Sequence, residues 1–329
     1  MPKKSASMKE IAYELGLSVN TVSRAFRDCY DISENTKEKV RLKAIELGYV
    51  PPSLNQFVKR DGRKLIALIY NSNSNLYYNL INQKIIEIIL KEGHYVSLIW
   101  SSSKTLDEEL IKQCLSERVD SIITSILPDE KAIVLAKIYD ISLIYLGEYE
   151  GTYKDKINTV YVNNYKAGMI ASSYLADYHK GERFIYLGDS KNHQSNKRKE
   201  GFVDGLKRYF DNPDVLSFDN RDINSQHLLA LIYDGYQSIF CFNDEVAYTT
   251  IKALEESIPH ISKVLPHLHI IGMDALSINI VGLKDLTSIS FDYSQLAKEA
   301  MKVLNGIWSH KENINNKIVI EPSLHQKNH

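Results

Sequence analysis

The stretch Ser18-Val19-Asn20-Thr21-Val22-Ser23-Arg24-Ala25-Phe26-Arg27 combines small polar and basic side chains with an apolar stripe at helical spacing. Val22, Ala25 and Phe26 fall on one face, while Val19, Asn20, Ser23 and Arg24 fall on the other. The second face carries the chemistry of reading base edges. Arg24 can donate two bonds to a guanine, Asn20 can contact an adenine or a phosphate, and Val19 can press on a thymine methyl. Thr21 and Ser23 suit phosphate oxygens. Ser18 stands where a helix needs an N-cap. An ordinary amphipathic helix with a polar face would read the same way over ten residues, so the flanking elements must decide.

Those elements agree with a DNA-reading helix. Ser7-Met8-Lys9-Glu10 fits a capping box, in which a hydroxyl and a carboxylate satisfy free amides at a helix start. A short helix from Met8 then places Ile11, Ala12 and Leu15 on one side, Gly16 ends it in a left-handed turn, and Ser18 caps the next helix. The pair predicts a helix-turn-helix. A third helix opens at Ser33, runs through Val40, Ala44 and Ile45, and stops at Gly48. Tyr49-Val50-Pro51-Pro52 cannot continue it, because proline lacks the amide and constrains its predecessor. The expected division is a headpiece over residues 1–50, a linker over 51–63 and a core over 64–329.

Composition bounds the reading. The chain has 329 residues, of which 44% are hydrophobic, enough for more than one small domain and a sizeable core. Residues 1–64 carry a net charge of +5 and the remainder −6, so the positive charge sits where phosphates are expected. Cys29, Cys114 and Cys241 are widely spaced and odd in number, which points to neither a disulfide framework nor a metal cluster. The chain opens on no charged-then-apolar signal, and no apolar run approaches the ~20 residues that cross a bilayer. A cytoplasmic protein is expected.

From Lys64 onward, short apolar runs alternate with longer amphipathic segments: Leu65–Ile69, Tyr95–Trp100, Ser121–Thr124, Ile141–Leu146, Phe184–Leu187, Ser238–Phe242 and His269–Gly272. This is a parallel α/β signature. Small or polar residues follow each run, among them Ser125, Gly147-Glu148, Asn243-Asp244 and Asp274. In open parallel sheets the ligand crevice lies beyond the carboxyl ends of the strands, so these loops can line one site. Strand-ending loops are commonly polar without binding anything, and that alternative stands beside the first.

Together these segments resemble the LacI/GalR family of bacterial transcription regulators. The resemblance rests on Met8-Lys9-Glu10-Ile11-Ala12, Leu17-Ser18-Val19-Asn20-Thr21-Val22-Ser23-Arg24, Ile32-Ser33-Glu34-Asn35-Thr36 and Glu46-Leu47-Gly48-Tyr49-Val50-Pro51. It continues through Ser74-Asn75-Leu76-Tyr77-Tyr78, Arg198-Lys199-Glu200-Gly201-Phe202, Phe242-Asn243-Asp244 and Ile271-Gly272-Met273-Asp274. It implies an all-α helix-turn-helix headpiece on an α/β periplasmic-binding-protein-like core of two doubly wound subdomains. The N-subdomain would span about residues 64–161 and 292–320, and the C-subdomain about 162–291 and 321–329.

The resemblance also implies roles. Ser18, Val19, Asn20, Thr21, Ser23 and Arg24 would meet operator DNA, with Asn55 and Val58 in a hinge segment that wedges the minor groove. Val58 replaces the usual leucine, which implies a shallower wedge. Arg198, Asn243 and Asp274 would anchor a small effector, aided by Asn75, Ser125 and Glu148, while Tyr77, Tyr78 or Phe291 would cover an apolar ring face. Asp accepts from hydroxyls, Arg donates through a fixed fork and Asn does both, which suits a sugar. A purine would use the same residue types. The implied assembly is a homodimer on a near-palindromic operator, probably acting as a repressor under effector control.

Rival functions find less support. The chain has no Gly-Lys-Ser/Thr phosphate loop, no His-Glu-x-x-His pair and no Gly-x-Ser-x-Gly elbow, so no catalysis and no cofactor are expected. His260, His267 and His269 are scattered in a turn-rich stretch and suggest no metal. A sugar-binding protein without a regulatory role, or a regulator controlled by a co-repressor protein, would use the same core.

Overall fold

The computed structural model describes residues 7–26, 29–47, 62–71, 76–178, 181–276, 286–309 and 317–325. The chain divides into two compact units, Met1–Arg63 and Lys64–His329.

The first unit holds three helices, Met8–Leu15, Val19–Phe26 and Glu34–Glu46. Each start is capped by a serine. The Ser7 amide donates to Glu10 Oε2 at 2.5 Å while the Glu10 amide donates to Ser7 Oγ at 3.4 Å, completing the capping box. The Thr21 amide donates to Ser18 Oγ at 2.9 Å, and the Thr36 amide to Ser33 Oγ at 3.2 Å. Gly16 takes φ +63°, a left-handed turn that side chains resist, and so lets the second helix fold back on the first. Ile11, Ala12, Val22, Ala25, Phe26, Val40 and Ala44 form the shared core.

In the second unit the chain forms β1 (Leu65–Asn71), β2 (Tyr95–Ser101), the short β3 (Thr105–Leu106), β4 (Ser121–Thr124), the short β5 (Leu127–Pro128), β6 (Ser142–Tyr145) and β7 (Asn158–Val162). It continues with β8 (Arg183–Gly188), β9 (Asp214–Asp219), β10 (Ser238–Cys241), β11 (His269–Met273), β12 (Thr287–Ser290), β13 (Lys317–Ile320) and β14 (Ser323–His325). Two six-stranded sheets result, ordered β13-β7-β6-β4-β1-β2 and β14-β12-β11-β10-β8-β9, while β3 and β5 pair separately. All pairings in the two sheets are parallel except β12 with β14. The chain leaves the first sheet after Val162, returns after Ser290 and crosses once more after Ile320. The fold is therefore a helical headpiece and a core of two doubly wound α/β halves.

One apolar core runs through both halves, from Ile66, Leu68 and Ile85 to Phe202, Phe240 and Leu304. Helices Asn164–Tyr178 and His193–Leu206 touch backbone to backbone within it. A Cβ on Gly168 would stand 2.0 Å from the Arg198 carbonyl oxygen, and one on Gly201 2.0 Å from that of Tyr165. Only glycine permits that approach, and the approach sets where Arg198 sits. No helix of the described residues is long and apolar enough to cross a membrane.

Candidate functional site

The second headpiece helix buries Val22, Ala25 and Phe26 and turns the remaining side chains outward. Val19 is 43% exposed and Asn20 is exposed, while Thr21, Ser23 and Arg24 are partly exposed. Ser18 is also exposed, although its hydroxyl caps the helix and lies 2.8 Å from Thr21 Oγ1. The guanidinium of Arg24 pairs through Nη2 with Oδ2 of Asp31, which holds the arginine further toward its charged form. Asp31 was not singled out by sequence spacing, since it lies beyond the helix it serves. Asn55 and Val58 lie outside the described residues, as does Asn75.

In the core, the carboxyl ends of the first sheet's strands meet the start of helix His193–Leu206 around a cavity of about 340 Å³. Tyr78, Ser125 and Glu148, three of the expected site residues, line it together with Tyr145 and Lys104. The other half contributes Lys191 through Gln194. The Glu148 carboxylate lies 3.7 Å from His193 Nε2, and Glu150 lies 3.6 Å from Nδ1 of the same ring. Lys197 completes the chain, 3.4 Å from Glu150. These donor atoms of Glu148, Glu150 and His193 lie within 4.8 Å of one another. The two carboxylates face different ring nitrogens, whereas an ion would take only one, so the arrangement is that of an ion-pair chain.

Arg198, Asn243, Asp274, Tyr77 and Phe291 are not on that cavity; they form a buried cluster around Tyr77 and Tyr78. Arg198 is 3% exposed and Asp274 2%. The arginine donates from Nε to Asn164 Oδ1 at 2.8 Å and from Nη1 to the Phe242 carbonyl. Its Nη2 stands 3.9 Å from Asp274 Oδ1, an oxygen that has no hydrogen-bond partner. Burial holds the Asp274 carboxyl well above the usual carboxylate range, with Arg198 pulling the other way. Burial likewise raises the phenols of Tyr77 and Tyr78, and the Asp274 charge adds to both shifts. Tyr77 packs edge-on against Tyr78 at 4.9 Å and against Phe291 at 6.0 Å.

Asp274 and Ala275 take φ values of +105° and +50°, a strained conformation for side-chain-bearing residues. Neighbouring groups hold it in place. Asp244 Oδ2 accepts from the Leu276 amide at 2.7 Å and its Oδ1 from Ser288 Oγ at 2.7 Å, while Ser288 Oγ accepts from the Ala275 amide at 3.0 Å. Asp244 and Ser288 are thus supports of the site that spacing alone did not reveal. Asn243 has a different employment from the one expected: its Oδ1 caps helix Asp244–Ser257 by accepting from the Val246 amide at 2.9 Å, leaving only its amide N–H groups for a ligand. A larger hollow of about 780 Å³, lined by Ile133, Val134, Ile138, Leu143, Tyr153 and Ile307, lies away from the strand ends and draws no expected site residue into its wall.

A capped helix-turn-helix joined to two doubly wound α/β halves defines a two-domain regulator with a ligand cleft. The family model for bacterial regulatory proteins of the lacI family matches residues 7–52. The transcriptional repressor PurR of Vibrio vulnificus is 22% identical over 310 residues, covering 91% of both chains. The repressor CytR of Escherichia coli K12 is 26% identical over 314 residues, covering 91% of this chain and 89% of its own. The lac repressor dimer bound to operator and an anti-inducer shares the fold with a TM-score of 0.64 at 20% identity, over 98% of each chain. The CelR–cellobiose complex does so at 0.63 and 17% identity, over 97% of this chain and 98% of its own. The chain belongs to the LacI/GalR family of transcription regulators.

Proposed function

We propose that this chain is a transcriptional repressor that binds a near-palindromic operator as a homodimer, in the cytoplasm, under the control of a carbohydrate effector held between the halves of its core. The observation that carries the reading is the outward face of helix Val19–Phe26, with Val19, Asn20 and Arg24 presented from a headpiece that is capped and packed without them. Arg24 and Asn20 read bases, Val19 packs on a thymine methyl, and Ser18, Thr21 and Ser23 meet phosphates. Asn55 and Val58 belong to the hinge that joins headpiece to core.

In the core, the unpartnered Asp274 oxygen beside Arg198 and the rings of Tyr77 and Tyr78 suits hydroxyls on one side of a sugar and an apolar ring face on the other. Asn75, Ser125, Glu148, Asn243 and Phe291 complete the contacts from the surrounding loops. The relatives named as repressors, and the regulator solved with cellobiose, point the same way. Edge strand β2 supports the dimer, because Leu98 and Trp100 are 53% and 64% exposed on an edge that would otherwise be open. An effector changes operator affinity only by as much as it distinguishes the two conformations, and the coupling is reciprocal.

Selection of bound sequences from a random duplex pool by the full chain tests this reading. Enrichment of a near-palindrome with half-sites about one helical turn apart is expected. A pool that remains random, with and without a panel of sugars, overturns it.

A further inference from the structure

The cavity at the strand ends differs from the buried cluster behind Tyr78 in its hydrogen-bonding character. A neutral sugar needs acceptors as much as donors, since each hydroxyl has a proton to give. The cavity offers few free acceptors. Its carboxylate, Glu148, faces His193 at 3.7 Å, and the Oδ1 of Asn192 caps helix His193–Leu206 by accepting from the Ser195 amide at 3.1 Å. Donors remain in excess. Lys104 and Lys191 both line the cavity, both are exposed, and among the described residues neither has an ion-pair partner. The Asn192 amide N–H groups are left over from capping. Lys104 comes from the first half of the core and Lys191 from the second, so one anion can be approached by ammonium groups from both sides. Tyr78 and Tyr145 close the inner wall with aromatic surface.

We propose that the effector is a phosphorylated sugar, whose phosphoryl oxygens are held in this cavity by Lys104, Lys191 and Asn192 and whose ring lies against Tyr78 and Tyr145. A phosphoryl group is an acceptor with charge, which matches a donor-rich lining with two unpaired ammoniums. The cavity's size, about 340 Å³, lies near the lower end for small-molecule sites and suits a monosaccharide phosphate. The inference rests on the reading of this cleft as the effector site and narrows it to a ligand class. Binding to both lysines would also tie the two halves of the core together, which gives the ligand a differential affinity for the conformation in which they meet.

Calorimetric titration of the full chain with hexoses, pentoses, their monophosphates and inorganic phosphate tests the proposal. The expected result is that at least one sugar phosphate binds 100-fold or more tighter than both its parent sugar and inorganic phosphate. Replacing both lysines, Lys104→Gln with Lys191→Gln, is expected to remove that preference without changing the melting temperature, since both side chains are exposed. A parent sugar that binds as tightly as its phosphate overturns the ligand class while leaving the effector cleft intact. Inorganic phosphate binding as tightly as the best ester, or a preference that survives the double replacement, overturns it as well. Absence of binding by every compound overturns both the ligand class and the reading of the cleft.

Discussion

The headpiece and the core hold their candidate ligand-binding groups in opposite ways. In the headpiece, Val19, Asn20 and Arg24 stand outside a core that is complete without them. In the core, Arg198 and Asp274 are almost wholly buried, and the arginine spends its donors on Asn164 and Phe242. A surface reader can be changed without cost to its scaffold. A buried anchor is part of its scaffold, so function and stability are coupled there. The difference also bears on switching: DNA can meet the headpiece face directly, whereas a ligand that reaches Asp274 must take over contacts the core now makes internally.

Arg198→Ala gives the largest expected effect. It removes three polar contacts and leaves Asp274 buried without its one cationic neighbour, so it should destabilise the core by about 3–5 kcal/mol. Urea unfolding of the full chain checks this; a loss close to that of an exposed substitution would mean that the cluster is not the support it is taken to be. Arg24→Ala should behave in the opposite sense. It should lower discrimination between operator and random duplex by roughly 10- to 100-fold, with the core's unfolding unchanged. Retained discrimination would remove Arg24 from the reading face.

How much of each region was legible follows the same division. The headpiece is governed by local rules: Ser7, Gly16, Ser18 and Ser33 each act within three or four residues of their own position, so caps and turns could be read directly. The strands that were read, such as β1 and β8, are continuous apolar runs in the sheet interior. Strand β9 escaped notice because it is an edge strand whose residues are only partly covered, and β13 because Lys317–Ile320 is four residues long with a charged start. The polar loops after β4, β6, β10 and β11 could be seen as site candidates, but not how they group. Tyr78, Ser125 and Glu148 fall on the cavity while Arg198 and Asp274 fall behind Tyr78, a partition made by packing between halves far apart in sequence. Asp31 and Ser288 act only through partners brought near by folding, and short-range spacing carries no trace of that.

A pH experiment sharpens the contrast within the core. Burial raises the Asp274 carboxyl above its ordinary value, so the folded chain keeps a proton there at pH values where the unfolded chain has lost it. The folded state then binds more protons, and this group's contribution to stability falls as pH rises from about 4. Asp274→Asn cannot titrate. The melting temperature of the variant relative to the unmodified chain should therefore climb as pH is raised from about 4 toward neutrality. A constant gap across that range would mean that the carboxyl titrates alike in both states.

The smallest expected effect tests whether the headpiece is as open as the comparison holds. Asp31 is the one feature that tempers it, because its carboxylate accompanies the Arg24 guanidinium on the surface. Both side chains are more than a third exposed, at 39% and 37%, so the pair itself contributes little to folding. Its consequence is for binding. A carboxylate beside a phosphate-rich duplex lowers the sequence-independent attraction, while a bidentate guanine contact can still draw the arginine away. Asp31→Asn should therefore tighten binding to random duplex by a few-fold, about what one exposed charge contributes, and tighten operator binding less, so that selectivity falls. Fluorescence anisotropy at two salt concentrations separates the outcomes. Equal gains on both duplexes would make Asp31 a simple electrostatic brake, whereas weaker operator binding would show that it holds the guanidinium fork in its reading position.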